Sequence, residues 1–163
     1  MSNKLSITTL NVGRCRAHQS KLIKTLKHDI LVIPEPLVDK NNRLREQNSD
    51  YQSFVQKDIA ILHKKNFLIQ TVKADSFYIA IVFASYILIA CYLAPSRNLQ
   101  EQLTTLSFVI SEFCCYKKIL IGDFNVRSSI YKKIKRKDYN MEKRAELFED
   151  FLMSHDLLKI RIT

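Results

Sequence analysis

Four oxygen-bearing side chains stand where apolar, strand-like runs end. Asn11 closes the run Leu5–Asn11, Glu35 follows Asp29–Ile33, and Asp123 with Asn125 follows Lys118–Ile121. Carboxylates and amides with no His or Cys cluster beside them suit a hard cation such as Mg2+, which keeps several waters and uses one or two carboxylates. Taken singly, each residue has a plain structural explanation: Asn and Asp form turns, and a Glu between two prolines can simply be solvated. Strand ends in α/β proteins hold polar groups in a shared crevice, so the four are expected to converge.

The elements that must position them follow from periodicity. Gly13 breaks the first run, and Leu22, Ile23 and Leu26 then recur at helical spacing within Ala17–His28. Asp29–Ile33 reads as a buried strand stopped by Pro34-Glu35-Pro36. The polar stretch Asp39–Gln52 reads as surface loop and Asp58–His63 as a strand. Leu103, Leu106 and Ile110 mark a helix over Leu99–Phe113. The strand Lys118–Ile121 runs into Gly122-Asp123-Phe124-Asn125, a basic loop spans Arg127–Lys137, and a last helix is expected from Met141 to His155. Strands interleaved with helices predict an α/β sandwich.

Phe77–Pro95 carries no charge and is nearly as long as a membrane helix, which needs roughly 20 residues. Its β-branched and aromatic residues favour strands instead, with Ala84-Ser85 turning a hairpin. The chain is therefore read as having no membrane span. Its 163 residues suit one domain. With 26 Lys and Arg against 16 Asp and Glu, the formal net charge of +10 attracts polyanions, nucleic acid foremost, although a basic surface is by itself often just solvated. Cys15, Cys91, Cys114 and Cys115 lack the Cys-x-x-Cys spacing of zinc or redox sites and read as buried thiols. No cleavable signal precedes the first strand-like run, so the nucleus or cytoplasm is expected rather than secretion.

Gly122-Asp123-Phe124-Asn125 behind an apolar strand resembles the most specific motif of the endonuclease/exonuclease/phosphatase superfamily. The other motifs agree in order. Leu10-Asn11-Val12-Gly13-Arg14-Cys15-Arg16-Ala17 resembles the Asn-containing first motif, Ile33-Pro34-Glu35-Pro36 the Gln-Glu-Pro motif, and Cys91-Tyr92-Leu93-Ala94-Pro95 the Tyr-x-x-Pro motif. The first two are most similar to the AP-endonuclease-like domain of non-LTR retrotransposons. The resemblance implies a four-layered α/β sandwich of two mixed sheets flanked by helices, with Phe77–Pro95 as core strands.

The resemblance also implies roles. Asn11, Glu35, Tyr92, Asp123 and Asn125 would be catalytic, with Glu35, Asn11 and Asp123 around a Mg2+ or Mn2+ ion. Arg14, Arg127, Lys132 and Lys133 are candidate nucleic-acid contacts. The reaction implied is metal-dependent nicking of DNA, as in target-primed retrotransposition, with a reverse transcriptase domain encoded downstream as a partner. Pro34 departs from the family's Gln but spares the neighbouring carboxylate. The family's last strands, with their Asp-His pair, have no counterpart here, so residues 1–163 read as a single domain incomplete at its C-terminus, its activity weak or lost. Ser154-His155-Asp156 lies in a helical pattern, and His155 reads as a helix-end residue. Two alternatives stand beside this: an inactive nucleic-acid-binding remnant, and a phosphoesterase or abasic-site repair nuclease of the same fold.

Overall fold

Strands that are apolar on both faces require a covering layer on each side, and that requirement organises this chain. A computed structural model describes residues 5–126 and 139–157. Its elements, in order, are β1 (Ile7–Thr9), α1 (Arg16–Lys24), β2 (Ile30–Pro34), β3 (Tyr51–Val55), β4 (Ile59–Lys64), β5 (Thr71–Asp75), β6 (Tyr78–Phe83), β7 (Tyr86–Tyr92), α2 (Leu99–Glu112), β8 (Lys117–Asp123) and α3 (Tyr139–Ser154).

The strands form two mixed four-stranded sheets, ordered β1-β2-β4-β3 and β5-β6-β7-β8. In the first, β1 runs parallel to β2, while β4 is antiparallel to both β2 and β3. In the second, β5, β6 and β7 alternate in direction and β8 joins β7 in parallel. The expected architecture of two mixed sheets flanked by helices is what the described residues form.

Side-chain alternation assigns each strand residue to a layer. Ile30, Val32, Ile59 and Ile61 of the first sheet meet Ile79, Ile81, Leu88 and Ala90 of the second in the central core. Leu31, Ile33, Ala60 and Leu62 point outward to pack with Ile23 of α1. Tyr78, Ala80, Val82, Ile87, Ile89 and Cys91 face the opposite way, onto Leu103, Leu106 and Ile110 of α2 and Phe148 and Phe151 of α3. The uncharged stretch is thus a strand pair buried on both sides, turning at Ala84 with φ 47°. No helix among the described residues is long and apolar enough to cross a membrane.

Several sequence expectations need correction. The first strand shrinks from Leu5–Asn11 to three residues. Asp39–Gln52 is not wholly loop: Val38 and Leu44 form a bridge, and β3 opens at Tyr51. Strand β5 had no counterpart in the sequence reading; four of its five residues are exposed at the sheet edge, so no buried face marks it. Of the cysteines only Cys91 is buried; Cys15 is half-buried, and Cys114 and Cys115 are exposed in the turn after α2. His155 has the structural role expected of it, with Nε2 2.8 Å from Ser107 Oγ and its ring against Phe151.

Candidate active site

The parallel pairings place the ends of β1, β2, β7 and β8 on one rim of the sandwich. Just past β1, Leu10 N–H still donates to Val32 O at 3.1 Å. The chain then turns through Gly13 and Arg14, both at positive φ, and Cys15 N–H donates to Val12 O at 2.9 Å. Val12, only 3% exposed, anchors the turn in the core, leaving Asn11 at the mouth of the rim.

Glu35 follows the last residue of β2. Pro36 behind it disfavours the right-handed helical region, and Glu35 adopts φ 50°. Its backbone is pinned on both sides: Glu35 N–H donates to Asp58 O and Glu35 O accepts from Arg14 N–H, each at 3.0 Å. Positive φ at a residue other than Gly, Asn or Asp costs of order 1 kcal/mol or more and persists where surroundings over-determine it. Of the six described non-glycine residues with positive φ, three belong to this rim: Arg14, Glu35 and Asn125.

Asp123 ends β8, in register with Tyr92 at the end of β7. Gly122 makes this possible. It faces the Cys91 backbone so closely that an added Cβ would lie 1.9 Å from Cys91 O, and its φ is 142°. The carboxylate of Asp123 accepts from Asn125 N–H at 3.2 Å, folding the Asp-Phe-Asn segment back over the strand end. Phe124 packs on Phe148, ring centroids 4.9 Å apart, and holds this segment against α3.

The sheets meet chemically at Asn11. Its Nδ2 donates to Glu35 Oε2 at 3.0 Å and to Asp123 Oδ2 at 2.8 Å, while its Oδ1 accepts from Gly13 N–H at 2.7 Å. One amide thus bridges a carboxylate from each sheet. The Tyr92 hydroxyl is held above its ordinary pKa, chiefly by burial, then by its hydrogen bond to Glu35 and the nearby charges of Glu35, Asp123 and Asp58. It therefore stays protonated through neutral pH. Of the expected catalytic residues, Asn11, Glu35, Tyr92 and Asp123 are linked directly, and Asn125 through its backbone. Arg14 lies beside them, whereas Arg127, Lys132 and Lys133 lie outside the described residues.

Two participants escaped the sequence reading. Asp58 is 4% exposed, and its two carboxylate oxygens receive Arg14 Nη2 at 3.3 Å and Arg97 Nη2 at 2.9 Å. A buried carboxylate needs such partners. Asp58 fixes both guanidinium groups while its backbone carbonyl holds Glu35. The available signal was an Asp opening the otherwise apolar run Ile59–Leu62.

Among the described residues no group of three or more His, Cys, Asp and Glu is arranged to hold a metal ion. A thiolate and imidazole cage is thus not what this rim offers. Two carboxylates on a shared amide, with a phenol beside them, do fit a hard divalent cation that retains most of its waters. In the hydrogen-bonding arrangement present, Asn11 aligns the carboxylates, its carbonyl oxygen being engaged by Gly13.

Residues 86–162 match a protein-family model described as endonuclease-reverse transcriptase. No curated protein matches the chain in sequence. The fold is similar to the endonuclease domain of TRAS1, a telomere-specific non-LTR retrotransposon, with TM-score 0.71 and 18% identity over 93% of this chain and 72% of that one. It is also similar to the 3′ phosphatase NExo from Neisseria, in a structure bound to a product DNA hairpin, with TM-score 0.65 and 20% identity over 92% and 71% of the respective chains. An AP endonuclease from Archaeoglobus fulgidus gives TM-score 0.65 and 19% identity over 93% and 71%.

Proposed function

We propose that the chain carries an endonuclease/exonuclease/phosphatase-type domain and that it hydrolyses phosphodiester bonds of DNA with the aid of Mg2+ or Mn2+, nicking a strand to leave a free 3′ hydroxyl. The observation that supports this best is the bridge from Asn11 to Glu35 and Asp123. Glu35 and Asp123 would hold the cation, with Asn11 setting their spacing. When bound, the cation supplies charge that neutralises the scissile phosphate and stabilises the leaving oxygen.

The remaining steps belong to the chain's own side chains. Asp123 orients or deprotonates the attacking water, and Asn125, folded back by its bond to Asp123, stabilises the phosphorane-like transition state. The protonated Tyr92 hydroxyl is a donor for a phosphate oxygen. Arg14, on the rim and steadied by Asp58, offers a cation to the flanking backbone. The formal charge of +10 favours a polyanionic substrate over a small phosphoester. The match to an endonuclease-reverse transcriptase family favours target-primed retrotransposition as the setting, with a reverse transcriptase domain as partner. The Asp-His pair that the resemblance implies is not among these 163 residues. Because residues acting as a unit lose orders of magnitude when one is removed, the chain alone is expected to cut weakly or not at all.

A second reading, DNA binding without catalysis, is favoured by the same charge excess. Nicking of supercoiled plasmid by the purified chain separates the two, with Mg2+ or a chelator and with Asp123→Ala, Asn125→Ala as control. Slow, cation-dependent nicking absent from the variant is the expected result. A folded, soluble chain that binds DNA in a salt-dependent way but never nicks it would establish the second reading.

A further inference from the structure

Far from the rim, the central core ends in a half-open cleft of about 370 Å³ between β4 and β5. His63, at the end of β4, pairs across the sheet with Ile30 at the start of β2, whereas Glu35 follows the end of β2. Five strand residues at ~3.3 Å each separate the cleft from the carboxylates by about 16 Å.

Several unusual features meet in this cleft. Phe54 stacks on His63, ring centroids 5.5 Å apart and 18° from parallel, and Phe67 closes on the same ring at 6.4 Å. His63 is 1% exposed. Its Nδ1 lies 2.9 Å from Lys64 O, and since a carbonyl only accepts, Nδ1 carries the proton. The other ring nitrogen, Nε2, is buried, and among the described residues no group hydrogen-bonds it. The amides of Gln52, Asn66 and Gln70 also line the cleft, each on an exposed residue. Leu68, beside them, is 79% exposed.

Lys65 and Asn66 also line an adjoining cleft, together with Lys27 and Lys64. Lys64 is committed to Asp29 at 2.8 Å. Among the described residues Lys27 and Lys65 make no ion pair, so their charges are available to an anion. Aromatic faces, amides with both donors and acceptors, an imidazole nitrogen without a partner and adjacent lysines together form a recognition set for a flat, hydrogen-bonding ring attached to an anion.

We propose that the cleft lined by Phe54, His63 and Phe67 binds a nucleotide with an unpaired base, the base lying among the aromatic rings and amides and the phosphate reaching Lys65 and Lys27. Stacking on aromatic side chains and hydrogen bonding to an exposed base edge are how unpaired bases are held. The site stands on its own residues and does not depend on the proposed hydrolysis at the rim.

The test measures binding of AMP, CMP and a single-stranded DNA tetranucleotide to the 163-residue chain by NMR titration, in chelator so that no strand is cut. Saturable binding is expected, shifting the His63 and Phe67 ring signals. Lys65→Ala and Gln70→Ala change exposed side chains and should each weaken binding about tenfold, the effect of losing one contact worth about 1.4 kcal/mol. Asp123→Ala should leave it unchanged. A tetranucleotide bound more tightly than the mononucleotides identifies a strand as the source, and equal affinity identifies a free nucleotide; either result supports the site. Failure to saturate at millimolar nucleotide would overturn the proposal. So would binding that Asp123→Ala abolishes while Lys65→Ala and Gln70→Ala leave it intact.

Discussion

Replacing Gly122 by Ala tests how β7 and β8 bring Asp123 to the rim. The new methyl would lie 1.9 Å from Cys91 O, where ordinary contact begins at 3.4 Å, an overlap of about 1.5 Å. The obstacle is backbone, so no rotamer change relieves it. Gly122 also has φ 142°, a conformation that costs a residue with a Cβ about 1–3 kcal/mol. Overpacking of this kind adds about 1–3 kcal/mol. Together they give a destabilisation of about 4 kcal/mol, a large part of the 5–15 kcal/mol typical of a domain. The strands could separate instead, at the expense of the Leu93 N–H bond to Asp123 O and the position of the carboxylate. Urea unfolding measures the first effect. Gly13→Ala is the control, because its φ is also positive, at 54°, but nothing lies within 4 Å of the added methyl. It should lose only about 1–2 kcal/mol. If Gly122→Ala proves no more costly than Gly13→Ala, the close approach of the two strands is refuted.

Asn11→Asp would bring a third carboxylate against Glu35 and Asp123 in place of the donor that bridges them. Stability should fall by about 1–2 kcal/mol at neutral pH and recover in millimolar Mg2+, as thermal melts with and without the ion would show; no recovery would count against a cation site. Asp29 is held at a pKa of about 2 by its hydrogen bond from Lys64, then by those from the backbone and hydroxyl of Ser6. A depressed carboxylate stabilises the fold above its unfolded value of 3.8 and loses that contribution as pH falls from 3.8 towards 2. After allowance for solvent screening the effect is ~1 kcal/mol. Asp29→Asn should therefore be less stable than the native chain at pH 5 and close to it at pH 2, and an equal gap at both pH values would contradict this.

Buried elements were legible in the sequence because their environment is uniform. The run Phe77–Pro95 became β6 and β7, two strands covered on both faces, and the leucines of Leu99–Glu112 face the second sheet as their spacing indicated. Of the edge strands, β3 and β5 were not legible. β3 buries Tyr51 but exposes Gln52 and Ser53, and β5 has no buried residue, so neither has the apolar signature of a covered strand. At the rim, Asn11, Glu35, Tyr92 and Asp123 could be named because each occupies a short local motif. The Arg14–Asp58–Arg97 cluster could not be, since its carboxylate lies 44 and 39 residues from its two arginines and only folding brings them together.

The Asn11 bridge joins residues 112 positions apart in sequence and belonging to different sheets. Contacts of such long range form late, after the loop entropy separating their segments has been overcome. Neither sheet alone contains both carboxylates, so a nascent or half-folded chain lacks the place proposed for a divalent ion. Assembly of the rim therefore reports that the two halves have docked, and any cutting that depends on it is withheld from the partly folded chain by topology alone.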